Sequence, residues 1–204
     1  MCKAFPAFCI TNRRLCRIPF LDQLDRILAK RPAGVILREK DLSLEAYLAM
    51  GREVLARCRA AGVPCWFHSF PEAACRLQPD GLQLPMAALR DLTPEERRKF
   101  QGKLGASCHS LAEVQEAARL GASCCTFSHI YPTQCKPGLP PRGLERLREV
   151  CAHSPLPVYA LGGSDPGTFP RTPSSRGSRS RDDGVVDPGN CMKAGQGCSE
   201  EGDR

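Results

Sequence analysis

Leu104-Gly105-Ala106-Ser107, Cys108-His109, Ser110-Leu111-Ala112-Glu113 opening a helical pattern that stops at Gly121, and then Cys124-Cys125-Thr126-Phe127: this stretch decides the fold. Its two outer tetrapeptides are short and almost free of charge, as parallel strands covered on both faces must be. Between them, Ser110 and Glu113 have the spacing of a capping box, and Gly121 suits the residue that ends a helix. A strand, a helix and a second strand in this order make a right-handed crossover between parallel strands.

The same alternation runs outward in both directions. Strands are predicted at 8–11, 35–38, 65–67, 81–84 and 157–161, which makes seven with the two above. Ser43 caps a helix whose stripe is Leu44, Tyr47, Leu48, Leu55 and Cys58. Thr93-Pro94-Glu95-Glu96 supplies a cap, a proline at the first helical position and a second capping box. Leu144, Leu147 and Val150-Cys151 mark a helix that ends before Pro155, and segments 21–28 and 71–77 are further candidates. Seven strands alternating with helices predict an α/β chain of the TIM (β/α)8-barrel type rather than an open doubly wound sheet. No Gly-x-Gly-x-x-Gly follows a strand, which argues against a dinucleotide-binding domain.

Beyond Gly163 the character changes. Residues 1–163 read as the barrel domain, and residues 164–204 read as a low-complexity, disordered tail dominated by Gly, Pro, Ser and charges. The Arg/Ser run at 171–181 is followed by acidic residues, so a solvated tail is the reading and nucleic acid is not a predicted partner. No eighth strand is read in the tail. The expectation is an incomplete barrel of seven strands, whose unpaired edges would drive poor solubility or a homodimer.

Composition fits this picture. Of 204 residues, 42% are hydrophobic and 25% charged, values near those of globular domains. No apolar run reaches the roughly 20 residues that span a bilayer, and the amino terminus lacks the apolar core of a signal peptide. The expected location is the cytoplasm. The 13 cysteines are odd in number and include no C-x-x-C pair, so they read as reduced core fillers, not as a disulfide framework or metal site. The net charge of +7 suits an anionic small molecule.

The polar residues fall at or just beyond the carboxyl ends of the predicted strands, which share one face of a parallel barrel. Arg38 and Lys40 follow the second strand, His68 the third, and Gln83 lies in the fourth. Ser107 and His109 close the fifth, His129 the sixth, and Gly162-Gly163 the seventh. With Lys136, the cations give this face a field suited to phosphate, and paired glycines can offer backbone N–H groups to an anion. His109, at a helix start, reads as a capping or packing residue, and His153 as a surface one.

Val35-Ile36-Leu37-Arg38-Glu39-Lys40-Asp41, Leu104 to Ser110, and Phe127-Ser128-His129-Ile130-Tyr131-Pro132-Thr133-Gln134-Cys135-Lys136-Pro137-Gly138 resemble the thiamine phosphate synthase/TenI family. Pro157-Val158-Tyr159-Ala160-Leu161-Gly162-Gly163 does so too, and the chain looks truncated before strand eight. The resemblance implies a TIM barrel in thiamine biosynthesis, with a small phosphate substrate and no membrane partner. In its synthase branch, magnesium-binding carboxylates follow strands three and four; the matching positions here are His68-Ser69 and Ala88, so neither carboxylate is present. Arg38, Lys40, Ser107 and Lys136 match pyrophosphate-contacting positions. The TenI branch also lacks these aspartates and carries Gln-Leu-Pro, here Gln83-Leu84-Pro85, together with the histidine at 129.

The expectation is therefore a cofactor-free thiazole tautomerase, an isomerase impaired by truncation. His129 would be its catalytic proton-transfer residue, since imidazole titrates near neutrality. Substrate would be held by Arg38, Lys40, Gln83, Ser107, Thr133, Lys136, Gly162 and Gly163, with no metal ligands. A thiamine phosphate synthase, a transferase, is the second reading, and a non-catalytic, ligand-binding or regulatory TenI-like protein the third.

Overall fold

The computed structural model describes residues 7–132, 138–162 and 192–196. Strands and helices alternate through β1 (Ala7–Ile10), α1 (Phe20–Ala29), β2 (Gly34–Leu37), α2 (Leu44–Ala61), β3 (Cys65–His68), α3 (Pro71–Leu77) and β4 (Gly81–Pro85). Two short helices follow, α4 (Met86–Arg90) and α5 (Pro94–Lys99). Then come β5 (Lys103–Cys108), α6 (Leu111–Arg119), β6 (Cys124–Ser128), α7 (Gly143–His153), β7 (Val158–Leu161) and β8 (Met192–Gln196). Every strand pair is parallel, and the order β1 to β8 is that of a closed barrel. The predicted fold class is the one observed.

The punctuation read from the sequence has physical counterparts. Ser43 accepts a hydrogen bond from the Ala46 N–H at the start of α2, and Gly121, just past α6, is in the left-handed region. Both halves of the Thr93–Glu96 capping box form. At α6 the Ser110 hydroxyl accepts from the Glu113 N–H, but the Glu113 carboxylate turns to the backbone N–H of His109 instead of Ser110.

One expectation is corrected. The sheet does not stop at seven strands, because Met192–Gln196 pairs with both β7 and β1. Tyr159 lies beside Met192 and Cys9 beside Gly195. This strand is a five-residue island inside the segment read as a tail, and no helix leads into it among the described residues. A strand so short and so isolated has no periodicity to announce it. With both edges paired, the reason given for homodimerisation or poor solubility is removed. The rest of the predicted tail, including the Arg/Ser run, lies outside the described residues.

Side chains alternate between two cores. Outward-facing Val35, Leu37, Cys65, Phe67, Leu82, Leu84, Ala106, Cys125 and Phe127 pack under the helices. Phe8, Ile10, Ile36 and Trp66 fill the barrel interior, with Phe8 edge-on to Trp66 at 5.8 Å and to Tyr159 at 4.9 Å. Gly81 makes room for Trp66, since a Cβ there would strike the indole ring. These rings fill the amino-terminal end, and the larger cavity opens toward the carboxyl ends of the strands. Cys9, Cys58, Cys65, Cys108 and Cys125 are buried within these layers and form no disulfide, as core fillers should be.

Candidate functional site

The mouth of the barrel encloses a cavity of about 320 Å³. Its floor is Gln83, whose amide nitrogen donates to the Ser107 hydroxyl at 3.1 Å and the Thr126 hydroxyl at 3.2 Å, tying β4, β5 and β6 together. Such a bonded polar layer can stay buried above the aromatic plug without loss of stability. Ile10, Ile36 and Leu161 supply apolar wall, and Met86 with Pro85 forms the side beside β4.

One rim carries positive charge. Beyond β2 the chain leaves the sheet and turns at Lys40-Asp41, and its residues divide between two sides. Arg38 and Lys40 line the cavity. Glu39 and Asp41 turn to the segment after β1, a short 3-10 turn at Arg13–Leu15. Glu39 is only 2% exposed and accepts from the Thr11 hydroxyl at 2.8 Å, the Arg13 N–H at 3.0 Å and the Arg13 guanidinium at 3.0 Å. Thr11 in turn accepts from the Arg38 N–H at 3.0 Å. Asp41 takes the other side of the Arg13 guanidinium and also Arg14, which hold its carboxyl well below the usual range. The two acids thus engage Arg13 and Arg14 outside the cavity, while Arg38 and Lys40 line it.

Three histidines face the same space. The His68 backbone N–H donates to the Tyr47 hydroxyl at 3.1 Å, and that hydroxyl donates to the Leu37 carbonyl at 2.7 Å, so one buried tyrosine sets the ends of β2 and β3. The His68 ring is buried, with Nδ1 2.7 Å from the Ser69 hydroxyl. Burial, and then Lys40 and Arg38 nearby, push its pKa down to about 3, so the ring is neutral at physiological pH. His109 Nδ1 lies 3.0 Å from the Ser128 carbonyl and 3.3 Å from its hydroxyl. His129 Nε2 lies 3.3 Å from the Leu139 carbonyl, and the residue is 5% exposed. Gly162, at φ +101°, closes the wall against it; a Cβ would lie 2.5 Å from the His129 Cβ.

Of the residues predicted for the site, Arg38, Lys40, Gln83, Ser107, His129 and Gly162 meet at this cavity. Thr133, Lys136 and Gly163 lie outside the described residues. Gln83 and Ser107 bond to each other, so they shape the floor as much as they offer groups to a ligand. Sequence reasoning placed His68 and His109 on this face without assigning either to the ligand, and it missed Thr126, which lines the cavity from within β6. His153 is exposed, as expected.

A parallel barrel with an aromatic plug below and a cationic, histidine-lined mouth above belongs to the class of (β/α)8 proteins, which carry their sites at the carboxyl ends of the strands. Residues 7–174 match the family model described as thiamine monophosphate synthase, TMP-TENI, and the chain belongs to that family. It is 37% identical over 151 residues to a thiamine-phosphate synthase of Thermus thermophilus, covering 73% of this chain and 72% of that one. It is 32% identical over 158 residues to a putative thiamine-phosphate synthase 2 of Aquifex aeolicus, covering 76% and 83%. A solved thiamine phosphate pyrophosphorylase from Pyrococcus furiosus shares the fold, with a TM-score of 0.66 and 23% identity over 79% of this chain and 76% of that one.

These relatives overturn the tautomerase expectation. They carry a synthase name, which denotes a transferase, and not an isomerase, so the transferase reading placed second is the better supported. The structure also shows what misled the sequence reading. A histidine at 129 has a packing explanation, because its Cα and Cβ lie against Gly162 and its Nε2 faces the Leu139 carbonyl.

Magnesium, which the family resemblance implies, does not fit the residues present. Among the described residues no group of three or more His, Cys, Asp or Glu could hold a metal ion. The described cavity lining has a single carboxylate, Glu113, and one of its oxygens is occupied by the His109 N–H. The ends of β3 and β4 and the start of α4 bring imidazole, proline and thioether to the mouth through His68, Pro85 and Met86, whereas magnesium takes oxygen ligands, carboxylates foremost. No helix among the described residues is long and apolar enough to cross a membrane.

Proposed function

We propose that the protein is a transferase of the thiamine phosphate synthase kind, joining a pyrimidine pyrophosphate to a thiazole phosphate with release of pyrophosphate. The observation that carries this reading is the identity of 31–37% to proteins named thiamine-phosphate synthase over about three quarters of the chain. The mouth is chemically suited to it. Loss of pyrophosphate places growing negative charge on the departing oxygen, and fixed cations beside a site that excludes water stabilise such charge. Arg38 and Lys40 are placed for that role, Ser107 and the histidines for hydrogen bonding, and Gly162 for close approach of the ligand to the backbone. Lys136, Thr133 and Gly163 are proposed as further substrate contacts on the strength of their place in the sequence motifs. The features that resemble the TenI branch, Gln83-Leu84-Pro85 and the missing aspartates, are read as changes in how the site holds its anion.

The test is direct. Purified protein is given both substrates, and product is followed by mass spectrometry. Thiamine phosphate should form in step with released pyrophosphate, and Arg38→Ala should slow it at least about tenfold, the loss of one charge-assisted hydrogen bond. A folded protein that forms no thiamine phosphate under any condition removes this reading.

A further inference from the structure

We propose that His109 and Glu113, on the β5 side of the mouth, read an exocyclic amino group on the pyrimidine substrate, the imidazole Nε2 and one carboxylate oxygen accepting its two N–H groups. This deepens the transferase reading and rests on it for the identity of the ligand. What it adds is the part of the site that recognises the ring and not its phosphates.

His109 is held as an acceptor. Its Nδ1 lies 3.0 Å from the Ser128 carbonyl oxygen, which can only accept, so in the neutral ring the proton sits on Nδ1. The same carbonyl accepts from the Arg142 Nε–H at 2.9 Å, so two donors share it. The Nε2 lone pair is left over, and among the described residues it has no partner. His109 lines the cavity, so a ligand there meets a neutral acceptor.

Glu113 reaches the same space because its capping box is incomplete. The Ser110 hydroxyl accepts from the Glu113 N–H, but the carboxylate passes over the Ser110 N–H and accepts from that of His109 at 2.5 Å. One carboxylate oxygen is used there, and the other has no partner among the described residues. A mouth built for phosphate alone has no use for a carboxylate, which repels an anion. A ligand with phosphates at one end and N–H donors at the other does use it. Arg38 follows β2, and β5 stands three places from β2 around the barrel, so cation and acceptors address different ends of one molecule. An amino group conjugated to a pyrimidine carries two coplanar N–H donors. The acceptor pair matches them, and a plain hydrogen in that place leaves both acceptors unpaired.

Calorimetric titration of the full chain with two ligands is the test: an aminopyrimidine bearing a pyrophosphate, and the same compound with hydrogen in place of the amino group. The parent should bind the amino compound at least about tenfold more tightly, since acceptors left unpaired in an enclosed cavity are costly. Glu113→Gln keeps an oxygen for the His109 N–H, and His109→Phe keeps the bulk of the ring. Each should bring the two affinities within about threefold of one another. Inorganic pyrophosphate, which has no N–H, should bind Glu113→Gln at least as tightly as the parent, because a negative charge has left the mouth. A parent that binds both pyrimidines alike or neither, either variant with the parent's preference intact, or weaker pyrophosphate binding by Glu113→Gln would each overturn the inference. The two proposals fail separately. Thiamine phosphate formed by a protein that shows no preference for the amino compound removes this inference and keeps the transferase. A preference present in the parent and lost in both variants, in a protein that makes no thiamine phosphate, does the reverse.

Discussion

Gly162 shows how one residue can be fixed by its neighbours. Its φ of +101° is one that side chains rarely adopt, and the space a Cβ would fill is held by His129. Gly162→Ala should lower stability by about 1–3 kcal/mol in urea unfolding, from backbone strain and overpacking together. His68 makes a prediction about pH. Burial holds its pKa at about 3, below the ordinary imidazole value of 6.5, so as pH falls below 6.5 the unfolded chain takes up a proton that the folded chain refuses. The folded state loses stability from this group through the window from about 6.5 down to about 3. Comparing unfolding at about pH 7 and about pH 5, His68→Gln should show a smaller drop than the parent. An equal drop in both would mean that the ring is charged in the folded state. Arg38, Gln83, Ser107 and Gly162 were legible in the sequence because position at a strand end is a sequence property. The buried partners that give each its role, such as Tyr47 beneath His68, come from distant parts of the chain and were not.

At the scale of elements, the segment after β2 is the best-determined part of the rim. The Thr11–Glu39–Arg13 set joins it to the turn after β1 through a carboxylate that is almost fully buried. Glu39→Ala would leave the Thr11 hydroxyl and the Arg13 N–H without their acceptor, a cost of about 1–3 kcal/mol. Because Glu39 lies between Arg38 and Lys40, it acts as a positioning residue, and pyrophosphate affinity should fall as well. Glu39→Gln keeps an acceptor oxygen and should recover part of that affinity; recovery of stability alone would leave Glu39 merely structural. The sequence made Arg38 and Lys40 legible here but not Glu39, since a buried acid is indistinguishable from a surface one without its partners. Helix boundaries were more legible, because a cap is local: Ser43, Thr93 and Gly121 act within one turn of where they stand. At Ser110 the local pattern was right about the helix and wrong about the carboxylate, which found the N–H of His109 instead.

For the whole molecule, the parallel alternation of strands and helices was enough to predict a barrel. Its closure was not predictable, because Met192–Gln196 is held by pairing with β1 and β7 and not by any pattern of its own. The error over activity arose differently: single motif positions, His129 above all, were given more weight than similarity along the chain. Both accounts place chemistry at the same mouth, and that placement is the central claim. The chain contains four histidines, three of which line the cavity while His153 sits exposed at the end of α7. The most direct measurement is therefore an NMR titration of histidine-labelled protein with inorganic pyrophosphate. Ring signals of His68, His109 and His129 should shift together along one binding curve while His153 stays in place. Saturable shifts confined to His153, or none at any ring while calorimetry reports binding, would place the anion elsewhere and contradict the account.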